Sequence, residues 1–197
     1  MEREEEMKRI ISFICAALLI VLCLAGCGKS KKYTAVISIK DYGDITVELD
    51  AETAPITVEN FVKLAKSGFY NGLTFHRIMY GFMMQGGDPE GTGLGGSEET
   101  IKGEFSANGV KNDISHTRGT ISMARNSLSM DSASSQFFIM HVDYPALDGQ
   151  YAAFGHVTSG IEIVDRICEE TPVVDDNGTV LPENQPVITS ITITEGK

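Results

Sequence analysis

Arg77 and Gln85 stand out in this 197-residue chain because of their neighbours. Both lie in FHRIMYGFMMQGGD (residues 75–88), two apolar, strand-like runs broken by Gly81. A polar group among apolar neighbours costs free energy unless it finds a hydrogen-bond partner. Arg77 is therefore a paired structural arginine, a clamp for phosphate or carboxylate, or a group aimed at a bond in a bound substrate. Side chains two apart in a strand share a face. Phe75, Arg77 and Met79 are thus expected to point together, with His76 opposite, and so are Met83 with Gln85 and Gln136 with Phe138. If those faces converge they form a shallow apolar pocket with one cation and two amides at its rim. If they do not, Phe82, Met83 and Phe138 are ordinary core.

Other chemistries find little support. His76, His116, His141 and His156 show no HxH or HExxH spacing and no cysteine partner, so no metal site is expected. Each reads as a hydrogen-bonded structural histidine. No G-x-S-x-G elbow is present. GTGLGG (91–96) lacks the Walker lysine and reads as a plain loop. No cofactor is implied. A net charge of −11 without a basic stripe argues against a nucleic-acid partner.

The elements that must position Arg77 are short. TAVISI and DITVEL flank Asp41-Tyr42-Gly43 as a hairpin. Pro55 opens a helix with Val58, Phe61, Val62, Leu64 and Ala65 on its apolar face, ending near Gly68. LTFHRIM, FMMQGG, GTISMA, SSQFFIM, YAAFGHV and PVITSITIT read as further strands, and IEIVDRICE as a second helix. Residues 86–118 read as long irregular loops, which in a compact domain usually carry function. Many short strands without a βαβ rhythm point to an antiparallel sheet or barrel.

The first 26 residues differ from the rest. Met7-Lys8-Arg9 precedes an apolar run that ends in Leu24-Ala25-Gly26-Cys27, the pattern of a secretory signal with a lipoprotein-type cleavage site. The glutamates before Met7 fit a signal poorly, so a start at Met7 is expected. The organisation expected is a signal peptide over 1–26, a lipidated Cys27 with a tether over 27–33, and one domain over 34–197. An uncleaved anchor helix is the alternative, somewhat short for a span of about 20 residues. Either reading puts the domain outside the cytoplasm, held to a membrane. Cys168 would then be the one cysteine of the domain, placed for packing.

FHRIMYGFMMQGGDPEGTG, GTISMAR, SQFFI and LDGQYAAFGHV, in this order, resemble the cyclophilin family of peptidyl-prolyl isomerases over roughly residues 34–195. The resemblance implies an eight-stranded antiparallel closed barrel capped by two helices, and a monomer acting on proline-containing polypeptides, which the N-terminal signal makes those of secreted or envelope proteins. It implies Arg77 as the catalytic group, Phe82, Met83, Phe138 and Leu147 as the proline pocket, and Gln85, Ala124, Arg125 and Gln136 as contacts to the substrate backbone. A proline-binding chaperone module with little turnover is the competing function. Three positions depart from the best-known members. Arg125 replaces an asparagine, Ala146 replaces a tryptophan, which weakens the expectation of cyclosporin binding, and Tyr151 replaces a histidine beside the pocket.

Overall fold

The computed structural model describes residues 32–196. The signal, cleavage and lipidation expectations, Cys27 included, fall outside the described residues. No helix among those described is long and apolar enough to cross a membrane.

The chain begins β1 (Tyr33–Ile39) and turns back into β2 (Gly43–Leu49). Asp41 and Gly43 take positive φ, 67° and 115°, which the tight reversal requires. Helix α1 (Pro55–Lys66) follows, with proline in its first turn and Val58, Phe61, Val62 and Ala65 buried. Ala54 offers no side-chain cap. Glu104, from the long loop, takes its place. Its carboxylate accepts from the Ile56 N–H (3.1 Å), the Thr57 N–H (2.7 Å) and the Thr57 hydroxyl (2.7 Å). A carboxylate suits a helix N-terminus because it satisfies orphan N–H groups and opposes the helix dipole.

Next come β3 (Thr74–Met79), β4 (Met83–Asp88), β5 (Thr120–Met123), β6 (Phe137–Met140), β7 (Ala153–Ser159), helix α2 (Ile161–Glu170) and β8 (Ile188–Glu195). All pair antiparallel in one sheet of order β3-β4-β6-β5-β7-β2-β1-β8. The sheet curls without closing, which corrects the closed barrel expected from sequence. Its end strands β3 and β8 meet only near the isolated bridge Thr74–Val187. Phe75 N–H donates to the Pro186 carbonyl at 3.0 Å, but Pro186 has no N–H to return, so no ladder propagates there.

The concave side holds the core. Phe61 lies 5.3 Å from Tyr70, 5.5 Å from Phe137 and 5.2 Å from Phe154, centroid to centroid, and Phe75 packs edge-on against Phe137 at 6.0 Å. Adjacent residues of β4 and β6 face opposite ways. Met84, Phe137 and Ile139 join this core, whereas Met83, Phe138 and Met140 form a separate cluster on the other face.

Like Gly86 before it, Gly87 is a tight point of β4. A Cβ there would stand 2.7 Å from the Ser135 carbonyl, and its φ is +83°. Only glycine brings β4 this close to the turn before β6.

Candidate functional site

The second cluster is the floor of a cavity of 240 Å³ lined by Arg77, Phe82, Met83, Gln85, Ala124, Arg125, Phe138, Leu147 and Tyr151. The structure thus gathers every side chain singled out from the sequence except Gln136, which stands next door. Cys27 lies outside the described residues. A neighbouring cavity of 160 Å³ contains Gln136 and shares Gln85, Ala124 and Arg125 with the first.

Strand β3 delivers Arg77 by a bulge. Its register against β4 runs Phe75–Gly86, then Arg77–Gln85, so His76 is the extra residue. Strict alternation would have put Phe75 beside Arg77. Instead Phe75 joins the core while Arg77 and Met79 face the cavity. His76 is buried, and neither ring nitrogen finds a hydrogen-bond partner among the described residues. That departs from the hydrogen-bonded role expected for it. Burial pushes its pKa below the ordinary value, against the pull of Asp88.

The Arg77 guanidinium is held entirely by neutral acceptors. Nε donates to the Asn177 carbonyl at 2.8 Å, Nη1 to Gln85 Oε1 at 3.3 Å and Nη2 to Met79 Sδ at 3.0 Å. Its centre lies 5.9 Å from the Phe82 ring. Burial lowers its pKa, partly offset by Tyr151 and Asp175, and like any arginine it stays protonated at neutral pH. The turn that supplies the Asn177 carbonyl also binds β3 through Ile78 N–H to Gly178 O at 2.8 Å.

From Arg77 a chain of amides leads away. Gln85 accepts from Arg77 and donates through Nε2 to Gln136 Oε1 at 2.9 Å, and Gln136 Nε2 donates to the carbonyls of Gly93 (3.1 Å) and Gly95 (2.7 Å). The Gly93–Gly95 loop is shaped by buried Asp88, which accepts the N–H of Glu90 (2.9 Å), Thr92 (3.0 Å) and Gly93 (2.6 Å). Burial alone would raise the Asp88 pKa, but these backbone donors hold it below the usual carboxylate range.

The apolar walls are braced too. Phe138 meets Tyr151 edge-on at 5.8 Å and stacks on His116 at 6.0 Å. His116 Nδ1 lies 3.0 Å from Asp148 Oδ1, and Nε2 lies 3.1 Å from Ser122 Oγ. Asp148 can only accept, so Nδ1 carries the proton and Nε2 accepts from the serine. Burial keeps His116 neutral, outweighing the pull of Asp148. These are the residue types of a hydrolytic triad, but Ser122 is fully buried behind Phe138 and reaches no substrate. The trio is scaffolding. Phe82 is presented by a turn fastened to His141, whose Nδ1 accepts from Gly81 N–H and whose backbone N–H donates to Phe82 O, both at 2.9 Å.

Neither nucleophile nor carboxylate lines the main cavity. Its arrangement is an apolar socket with two amides, Gln85 and Gln136, and the Arg77 cation at its rim. Residues 34–194 match the family model described as cyclophilin type peptidyl-prolyl cis-trans isomerase/CLD. The chain is 50% identical over 137 residues to a peptidyl-prolyl cis-trans isomerase of Helicobacter pylori, covering 68% of this chain and 81% of that one. It is 44% identical over 150 residues to peptidyl-prolyl cis-trans isomerase B of Bacillus subtilis, covering 76% and 95%. Among solved structures, a Cryptosporidium parvum cyclophilin-type isomerase, crystallised in the presence of the dipeptide Ala-Pro, superposes with a TM-score of 0.72 at 32% identity, covering 83% of this chain and 99% of that one. The chain belongs to the cyclophilin-type peptidyl-prolyl cis-trans isomerase family.

Proposed function

We propose that Arg77 is the catalytic group of this isomerase, that the Phe82, Met83, Phe138, Leu147 and Tyr151 walls hold the proline ring, and that Gln85, Ala124, Arg125 and Gln136 align the peptide backbone. The observation that carries this reading is the Arg77 guanidinium, poised over an apolar socket and ion-paired to no carboxylate among the described residues.

Rotation about an X–Pro bond is opposed by amide resonance, a barrier of about 18–20 kcal/mol. No bond is made or broken, so the catalyst needs only to bind the twisted amide better than the planar one. On twisting, the prolyl nitrogen pyramidalises and its lone pair becomes an acceptor. A guanidinium donor directed at that nitrogen is stronger in the twisted state, and about 1.4 kcal/mol of such preference gives tenfold. The amide chain strengthens the arrangement. Gln85 presents its oxygen to Arg77 and its N–H₂ to Gln136, so each hydrogen bond polarises the next. Lysine would serve poorly, because its point charge lacks the planar fork of donors.

The test is Arg77→Ala in the full chain, assayed on an Ala-Pro peptide. The expected result is a folded protein with kcat/KM lowered about 100-fold or more, the scale of losing one preorganised donor. Wild-type-like turnover would remove both the mechanism and Arg77's role. A proline-binding chaperone would instead keep its peptide affinity and lose nothing it needed.

The clients we infer are secreted or envelope polypeptides, with the isomerase fixed to a membrane through lipid on Cys27 after cleavage behind Gly26. What supports this is the sequence of residues 1–27 alone. Growth with a labelled fatty acid should mark the wild-type chain and not Cys27→Ser. Equal labelling of both would refute the anchor.

A further inference from the structure

Two cavities meet at Arg125. Both are lined by Gln85, Ala124 and Arg125, so a polypeptide running from the proline socket into the second cavity crosses the Arg125 guanidinium. That group is fixed in place. Nε donates to the Gln150 carbonyl at 3.1 Å and Nη1 to the Asn126 carbonyl at 3.0 Å. Its centre lies 4.9 Å from the Tyr151 ring and 5.3 Å from the Phe105 ring. Nη2 donates to no group among the described residues, and no carboxylate there pairs with Arg125.

The surroundings add to this charge. The residues lining the two cavities include Arg77 and Arg125 and not one aspartate or glutamate. Asp175 acts on Arg77 from the flanking turn, but its oxygens are taken by the N–H groups of Asn177 and Thr179 and by the Thr179 hydroxyl. Glu90 packs behind Gly95. The lining therefore carries two guanidiniums and no carboxylate, with Asp88 and Glu90 behind the Gly93–Gly95 loop, on a chain of net charge −11. The distant negative charge is screened over about 8 Å at physiological ionic strength, whereas a side chain in contact with Arg125 is not. At the peptide's position the local cation decides.

We propose that Arg125 makes this isomerase select polypeptides with an acidic side chain within two residues of the proline, on the side that occupies the second cavity. This rests on the isomerase reading of the same site and deepens it by naming a substrate class. Backbone contact at position 125 needs no particular side chain. A guanidinium packed near two aromatic rings with a free edge does select, because its planar fork matches a carboxylate.

The experiment uses the full chain and proline peptides carrying Glu, or isosteric Gln, at one of the two positions before or the two after the proline. At one position the Glu peptide should exceed its Gln twin in kcat/KM by about 3- to 5-fold, the range of a partly exposed ion pair. Arg125→Gln should bring that ratio to about one, Arg125→Lys should keep part of it, and high salt should shrink it. Both peptides are compared on the same variant, so partial misfolding scales both rates and leaves the ratio intact. A ratio of one at every position, or one that Arg125→Gln leaves unchanged, overturns acid selection while the isomerase reading stands. Failure of the wild type to isomerise any of the peptides overturns both.

Discussion

Strands β4 and β6 have two faces made of the same kinds of residue, and the faces behave differently. On the inner face Phe137 packs edge-on against Phe61, Tyr70 and Phe75 in a dense aromatic core. On the outer face its neighbour Phe138 packs with Met83 and Met140, flanked by partly buried Met79, Phe82, Leu147 and Tyr151. The inner cluster is closed on all sides, so every contact there contributes to stability. The outer cluster is left open at the rim, and its flexible methionines suit a surface that must accept a guest. A single change of strand register would exchange the two roles.

Three measurements sharpen or break this contrast. The largest effect belongs to Phe137→Ala, which should cost about 3–5 kcal/mol in denaturant unfolding, the usual range for a buried phenylalanine. Phe138→Ala should cost less stability, because solvent reaches the space it leaves, but should lower kcat/KM about tenfold by removing part of the socket's apolar surface. Equal stability losses with no change in activity for Phe138→Ala would erase the distinction between the faces.

The smallest effect is a pH dependence that tests the bracing behind Phe138. Burial holds the folded pKa values of His116 and His76 below the ordinary imidazole value. As pH falls through about 6.5 the unfolded chain takes up protons first. Stability is therefore full above that pH and declines below it, by up to about 1.4 kcal/mol per pH unit for each imidazole, until the folded forms also titrate. A thermal midpoint unchanged between about pH 7 and 5.5 would contradict the buried, neutral assignment.

Much of this was legible in the sequence, for local reasons. Alternating β-branched residues located the terminal strands, Pro55 located the start of α1, and the runs around Arg77 and Phe138 singled out Arg77, Phe82, Met83, Gln85 and Phe138, whereas Ala124, Arg125, Leu147 and Tyr151 came from the family resemblance. What escaped depends on partners remote in sequence. The bulge at His76 is set by pairing with β4, so alternation alone wrongly put Phe75 beside Arg77. The carbonyl steadying Arg77 comes from Asn177, 100 positions later. The carboxylate capping α1 comes from Glu104, inside a stretch that read only as loop. The β3–β8 pairing that stops at Pro186 joins segments equally remote in sequence.

The β1–β8 pairing has a mechanical consequence. Tyr33 pairs with Glu195 and Gly196 N–H donates to Lys32 O at 2.7 Å, so the described ends of the domain are hydrogen-bonded neighbours at one end of an antiparallel ladder. Tension applied between them loads the rungs one at a time, from Tyr33–Glu195 inward to Ile39–Ile188, instead of shearing them together. A domain pulled by its two ends therefore opens like a zipper, at low force. Pulled by one end alone, it carries no load through the sheet.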